Sequence, residues 1–251
     1  MSIILDVEGN YPYFDNYYGA IDHFNRENIN LVEIYQVYTT DAYAEARIHS
    51  DMDNYRYHAL FLGRAGSNGG MYPQRIASVG ARHYYVSPAM LINADTIVFE
   101  CLFRQLNSVQ RGEKVSIGLF SNTPISYSGN DDAFSNNAMI TLRYDGGDNY
   151  TVPKDSYEIV YCNDNGNVTV VNSGLTRDSN EHRFKIVWSI NRVDFYIDGI
   201  LKHSTNNSNM IPSRALLPAF SVRNARTSVT LDVRLIIDYW HIHFLKLNKL
   251  I

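Results

Sequence analysis

The stretch RFKIVWSINRVDFYIDGILKHST, Arg183 to Thr205, constrains the fold more than any other part of the chain. Phe184, Ile186 and Trp188 alternate with Arg183, Lys185 and Val187. Val193, Phe195 and Ile197 repeat the pattern after a short interruption. A period of two belongs to strands, because successive side chains point to opposite faces. Asp198-Gly199 then supplies the positive-φ residue that a tight turn needs. The segment predicts antiparallel strands joined by turns, with Asp198 and Gly199 at a hairpin tip. Trp188 and Phe195 are the bulky residues expected between sheets.

The same grammar runs along most of the chain. Strand candidates are Leu31–Tyr38, Tyr57–Leu62, Arg75–Val86, Thr96–Leu106, Lys114–Ser121, Ala138–Tyr144, Tyr157–Cys162, Asn167–Asn172, Phe184–Ile190, Val193–Ile197, Leu216–Val222 and Thr230–Leu245. Turn clusters such as AGSNGG, YDGGDN, NDNGN and STNNSN separate them. In Thr96–Leu106, Ile97, Phe99, Cys101 and Phe103 share one face. In Thr230–Leu245 the apolar set shifts from Leu231, Val233 and Leu235 to Trp240, Ile242 and Phe244, so a bulge is expected near Ile236–Ile237. One short helix is expected over Asp41–His49, with Asp41 as its N-cap. The expected fold is all-β, a two-sheet antiparallel β-sandwich of jelly-roll type. Residues 31–247 form the sandwich, 1–30 an irregular, tyrosine-rich N-terminal arm, and 248–251 a short tail.

Composition narrows the partners. At 251 residues and 45% hydrophobic content the chain can bury a sizeable core. A net charge of -4 provides no basic footprint for nucleic acid. The apolar runs are too short to span a bilayer. The N-terminus lacks the basic start of a signal peptide. The expectation is a protein that stays in the cell, or reaches a virion or the cell surface by a non-classical route. Cys101 and Cys162 are too few for a disulfide framework or a metal site, and they read as free thiols or one bridge.

From His182 the order is His182, Phe184, Trp188, Val193, Tyr196, Asp198-Gly199, Pro218 and Asp238-Tyr239. This order resembles the C-terminal half of the concanavalin A-like lectin/glucanase superfamily, in particular its laminarinase- and lichenase-type glucanases. The resemblance implies a jelly roll, glycans as ligands, and a catalytic strand of the form E-x-D-x-x-E or E-x-D-x-E. It also implies that Asp238 matches a calcium ligand at the start of the last strand, which makes Ca2+ the one candidate cofactor.

The strand that should carry the acids reads NNAMITLRYDGG. Within Ala138–Tyr144 neither face offers a carboxylate, whereas a retaining glycosidase needs two of them about 5 Å apart. The alginate-lyase motifs of the same fold are missing as well. The chain therefore reads as a non-enzyme. Asp145 and Asp148 would be the first residues to test for a displaced acid pair. His241 and His243 share a strand face, but no third metal ligand can be named.

Two function classes remain. One is a structural or surface protein, a virion component included, that binds neighbouring protein subunits and forms a homo-oligomer. The other is a lectin-like glycan-binding module, with Tyr84, Tyr85, Arg143, Tyr144, Asn149 and Tyr150 as its ligand contacts. Aromatic faces and amide or guanidinium donors are the groups that hold sugars.

Overall fold

The computed structural model describes residues 19–22, 35–39, 44–49, 59–64, 75–81, 85–92, 94–106, 113–121, 138–146, 155–224 and 234–245. Their strands, in chain order, are β1 (Gly19–Asp22), β2 (Tyr35–Thr39), β3 (Ala44–His49), β4 (Ala59–Arg64) and β5 (Arg75–Ala81). Then follow β6 (Thr96–Leu106), β7 (Glu113–Phe120), β8 (Met139–Asp145), β9 (Ser156–Cys162) and β10 (Val168–Thr176). The chain continues with β11 (Glu181–Ser189), β12 (Arg192–Ile197), β13 (Ile200–Thr205), β14 (Leu217–Asn224) and β15 (Arg234–Leu245).

They form two antiparallel sheets. The first runs β13-β12-β11-β6-β15-β4-β3, with β1 added on β15. The second runs β10-β9-β8-β7-β14-β5-β2. The all-β sandwich expected from the alternation is the observed architecture. Its core joins Phe99, Phe103, Phe184, Trp188, Phe195 and Trp240 of the first sheet to Ile117, Leu142, Tyr144, Tyr157, Ile159 and Phe220 of the second.

The hairpin tip follows from local chemistry. Asp198 has φ 52 and Gly199 φ 78, the two positive angles of a type I′ turn. Asp198 also ties the tip to β11. Its N–H donates to the Arg183 carbonyl at 2.9 Å, and its Oδ1 accepts the Arg183 N–H at 2.9 Å. In β15 the register shifts between Ile237 and Tyr239, which leaves Asp238 as the extra residue. The shift moves the core-facing set from Leu235 and Ile237 to Trp240 and Ile242. Gly118 marks a close approach, because a Cβ there would meet the Ile140 carbonyl oxygen at 2.4 Å. Cys101 and Cys162 are buried free thiols.

Two expectations are corrected. Ala44–His49 is strand β3, paired antiparallel with β4, and not part of a helix. Its residues also alternate, with Ala44, Ala46 and Ile48 against Glu45, Arg47 and His49, and the ladder with β4 overrides a modest helix propensity. Nor is the N-terminal arm irregular throughout, because Gly19–Asp22 pairs with residues 240–243 of β15. β4 covers β15 only from Arg234 to Ile237, so the rest of that edge needs a backbone partner, and β1 supplies it. Asp41 and the remainder of the arm lie outside the described residues.

A buried histidine links the hairpin tip to the start of β11. His182 Nδ1 lies 2.8 Å from Asp198 Oδ2, and Nε2 lies 2.9 Å from Asp178 Oδ1. Burial pulls its pKa down, but hydrogen bonds and charge from the two aspartates outweigh burial, and the net shift is upward. A pKa raised in the folded state contributes stability that is complete below the ordinary value of 6.5 and fades as pH rises through the folded value. The urea midpoint is therefore expected to fall between about pH 6 and pH 8, the range in which histidine titrates. His182→Gln should flatten that slope. An unchanged slope in the variant would assign the pH dependence to other groups.

Candidate functional site

Strands β14, β7, β8 and β9 give one set of residues to the core and turn the other outward. The outward set is ordered by register. One row crosses Ser221, Ser116, Arg143 and Glu158. The next holds Ala219, Gly118, Thr141 and Val160, and the third Leu217, Phe120, Met139 and Cys162. Polarity thus falls off along the strands. The third row, with Ala219 and Val160, forms a second apolar cluster apart from the main core. All of these side chains are buried.

Among the described side chains, four charges gather at the polar end. Arg143 donates to Glu158 Oε2 from Nε at 3.1 Å and from Nη2 at 2.7 Å. The same Nη2 stands 4.0 Å from Asp145 Oδ2, and Lys114 Nζ stands 3.6 Å from that oxygen. Two cations therefore balance two carboxylates in a buried setting, where charges need such partners. From sequence, Asp145 is paired with Asp148 as a displaced acid pair, and Glu158 is not singled out. Asp145 is the next outward residue of β8, and Glu158 is the lone charge in the apolar run SYEIVYC. That they gather around one guanidinium becomes visible only once the register of β8 and β9 is set.

No family model matches the chain, and no curated protein matches it. Solved structures do. The endo-β-1,4-glucuronan lyase of Trichoderma reesei superposes with a TM-score of 0.57 at 14% identity, over 88% of this chain and 94% of the lyase. The carbohydrate recognition domain of Emp47p gives 0.58 at 14% identity, over 92% of this chain and 96% of the domain. The Bacillus licheniformis β-glucanase gives 0.53 at 14% identity, over 93% of this chain and all of the enzyme. The fold is a concanavalin A-like jelly roll.

On this concanavalin A-like scaffold the candidate residues fall in different places. Arg143 and Tyr144 are neighbours in β8 and point to opposite faces, so they cannot form one ligand surface. The Tyr144 ring lies in the inter-sheet core, 5.7 Å from the Tyr157 ring and 5.6 Å from Arg177 Cζ. Its expected part in a ligand surface is corrected, since its side chain is fully buried. Burial also raises the pKa of its hydroxyl. Tyr85 is 47% exposed and precedes Val86, whose backbone bridges to Leu216. This puts Tyr85 at the apolar end of the outward rows. Arg143 sits about 13 Å away along the strands, four residues at the usual strand rise. Tyr84, Asn149 and Tyr150 lie outside the described residues.

Asp238 occupies the β15 bulge and is partly exposed. Among the described residues no three His, Cys, Asp or Glu side chains gather to hold a metal ion. His241 and His243 stand 5.1 Å apart, centroid to centroid, on the outer face of the first sheet beside Tyr239. Tyr239 donates to Glu100 Oε1 at 2.9 Å. Trp188 is buried in the core, and Asp198 and Gly199 form the hairpin tip described above. No described helix is long and apolar enough to cross a membrane.

Proposed function

We propose that this chain is a non-catalytic carbohydrate-recognition protein, with Tyr85 among its ligand contacts. One observation carries the non-catalytic part. Of the two carboxylates on the outward face of β8 and β9, Glu158 accepts hydrogen bonds from Arg143 and Asp145 is ion-paired with Lys114. Glycoside cleavage needs one carboxyl group to hand a proton to the leaving oxygen and a second to attack the sugar or activate water. A carboxylate that accepts two N–H bonds from a guanidinium is arranged for neither task. Met139 and Thr141 complete that face of β8 and supply no substitute. The likeness to a carbohydrate recognition domain supports the glycan part.

Incubation with laminarin, lichenan, agarose and carrageenan is expected to release no reducing ends. On a glycan array the protein should bind, and Tyr85→Ala should weaken that binding without changing the thermal midpoint. Hydrolysis that survives further purification and disappears in Asp145→Asn or Glu158→Gln would replace this reading with a hydrolase. A structural or surface role, as in a virion, is the second reading. Solution mass together with a silent array would favour it.

A further inference from the structure

We propose that β10, the outer strand of the second sheet, is a self-association edge at which the chain pairs with a second copy of itself. Among the described residues β10 pairs with β9 alone. Val168 and Val170 on this strand are 40% and 46% exposed. They sit opposite Cys162 and Val160 and extend the buried apolar cluster of the outward face into solvent. An open strand edge presents a row of backbone N–H and C=O groups, so the occupant that fits it is another extended backbone.

The neighbouring edge is built differently. β13 ends the first sheet beside β10. It carries a register shift opposite Phe195 and Tyr196, and it carries Lys202. A bulge and a lysine are two of the devices that keep an edge from pairing. The segment Val168–Asn172 has neither, and contains no charge and no proline. Its regular pairing ends only at the shift between Asn172 and Thr176, where Gly174 has φ 70.

Neutrality points to the partner. A charged edge would set like charges against each other when paired with its own copy, and this one sets none. Antiparallel pairing about a two-fold axis at Thr169 places Val168 opposite the copy's Val170, Val170 opposite the copy's Val168, and Thr169 opposite the copy's Thr169. Cross-strand pairs of β-branched residues, and threonine pairs that share a hydrogen bond, both favour the ladder. Such an interface is isologous and closes at two copies. It stands independently of the glycan reading.

The test is sedimentation equilibrium of the full chain over a dilution series. A concentration-dependent dimer is expected. Thr169→Lys, which opposes two lysines across the axis, should weaken the dimer by at least about tenfold, or ~1.4 kcal/mol. Under mild oxidation Thr169→Cys should form an inter-chain disulfide, and Thr176→Cys, outside the paired segment, should not. The native thiols are buried and add little background. If Thr169→Lys does not fold, the cysteine pair decides the question. A monomer at every concentration overturns the proposal. So does a dimer indifferent to Thr169→Lys, or one that cross-links as readily through residue 176. Glycan-array binding is scored separately and changes with none of these outcomes.

Discussion

Replacing Trp188 with alanine is expected to lower the free energy of unfolding by about 3–5 kcal/mol, the range for deleting a large buried aromatic side chain. Trp188 is 1% exposed. It stands on β11 between Ile97 of β6 and Val193 of β12 and is part of the core shared by the two sheets. Its removal takes away transfer free energy and also leaves a cavity, because neighbours held in two hydrogen-bonded ladders close in only partly. Trp188→Phe keeps much of that contact and should cost clearly less. Equilibrium unfolding in urea measures both variants, provided that the m-value stays constant. A loss below about 1 kcal/mol for the alanine variant is the size of an ordinary surface substitution and would refute a core role.

The reason Trp188 could be placed from sequence is that its surroundings are local. The hairpin announces itself through Asp198-Gly199, and alternation then settles which residues of β11 and β12 point inward. The bulge in β15 was legible for a similar cause, as a change of apolar phase within one strand, though it falls one residue past the expected pair. Where a long-range ladder decides, local signals misled. Ala44–His49 carries good helix formers, but its pairing with β4 makes it a strand. Gly19–Asp22 has little strand character of its own and is recruited by the uncovered half of β15.

The candidate site obeys the same division. That Arg143 and Tyr144 face opposite ways is implied by adjacency in a strand. That Arg143 is occupied by Glu158 is not, because the two are 15 positions apart and meet only through the β8–β9 register. A cation proposed as a sugar donor from sequence thus proves to be the centre of a buried ion network. Exposure and pairing of a polar side chain are tertiary facts, and residue type alone does not report them.

Breaking that network should be nearly as damaging as removing Trp188. Arg143→Met deletes the guanidinium from a pair whose side chains are only 7% and 9% exposed. Glu158 is then left buried without its bidentate donor, and Asp145 retains Lys114 as its near cation. Removal of one member of a buried pair costs about 3–5 kcal/mol, mostly through the stranded charge. Glu158→Met strands Arg143 in the same way and should cost a similar amount. In the double variant no charge is stranded, and two apolar side chains of comparable length extend the adjacent cluster of Met139, Val160 and Cys162. Its loss should therefore fall well below the sum of the single losses, with a coupling of about 1–3 kcal/mol in a double-mutant cycle. Strict additivity would mean that the two side chains do not depend on each other, and the argument that Glu158 is engaged rather than available for catalysis would lose its basis. A strong coupling, with glycan binding retained in the double variant, assigns the charges to the architecture of the sheet and leaves recognition to exposed residues such as Tyr85.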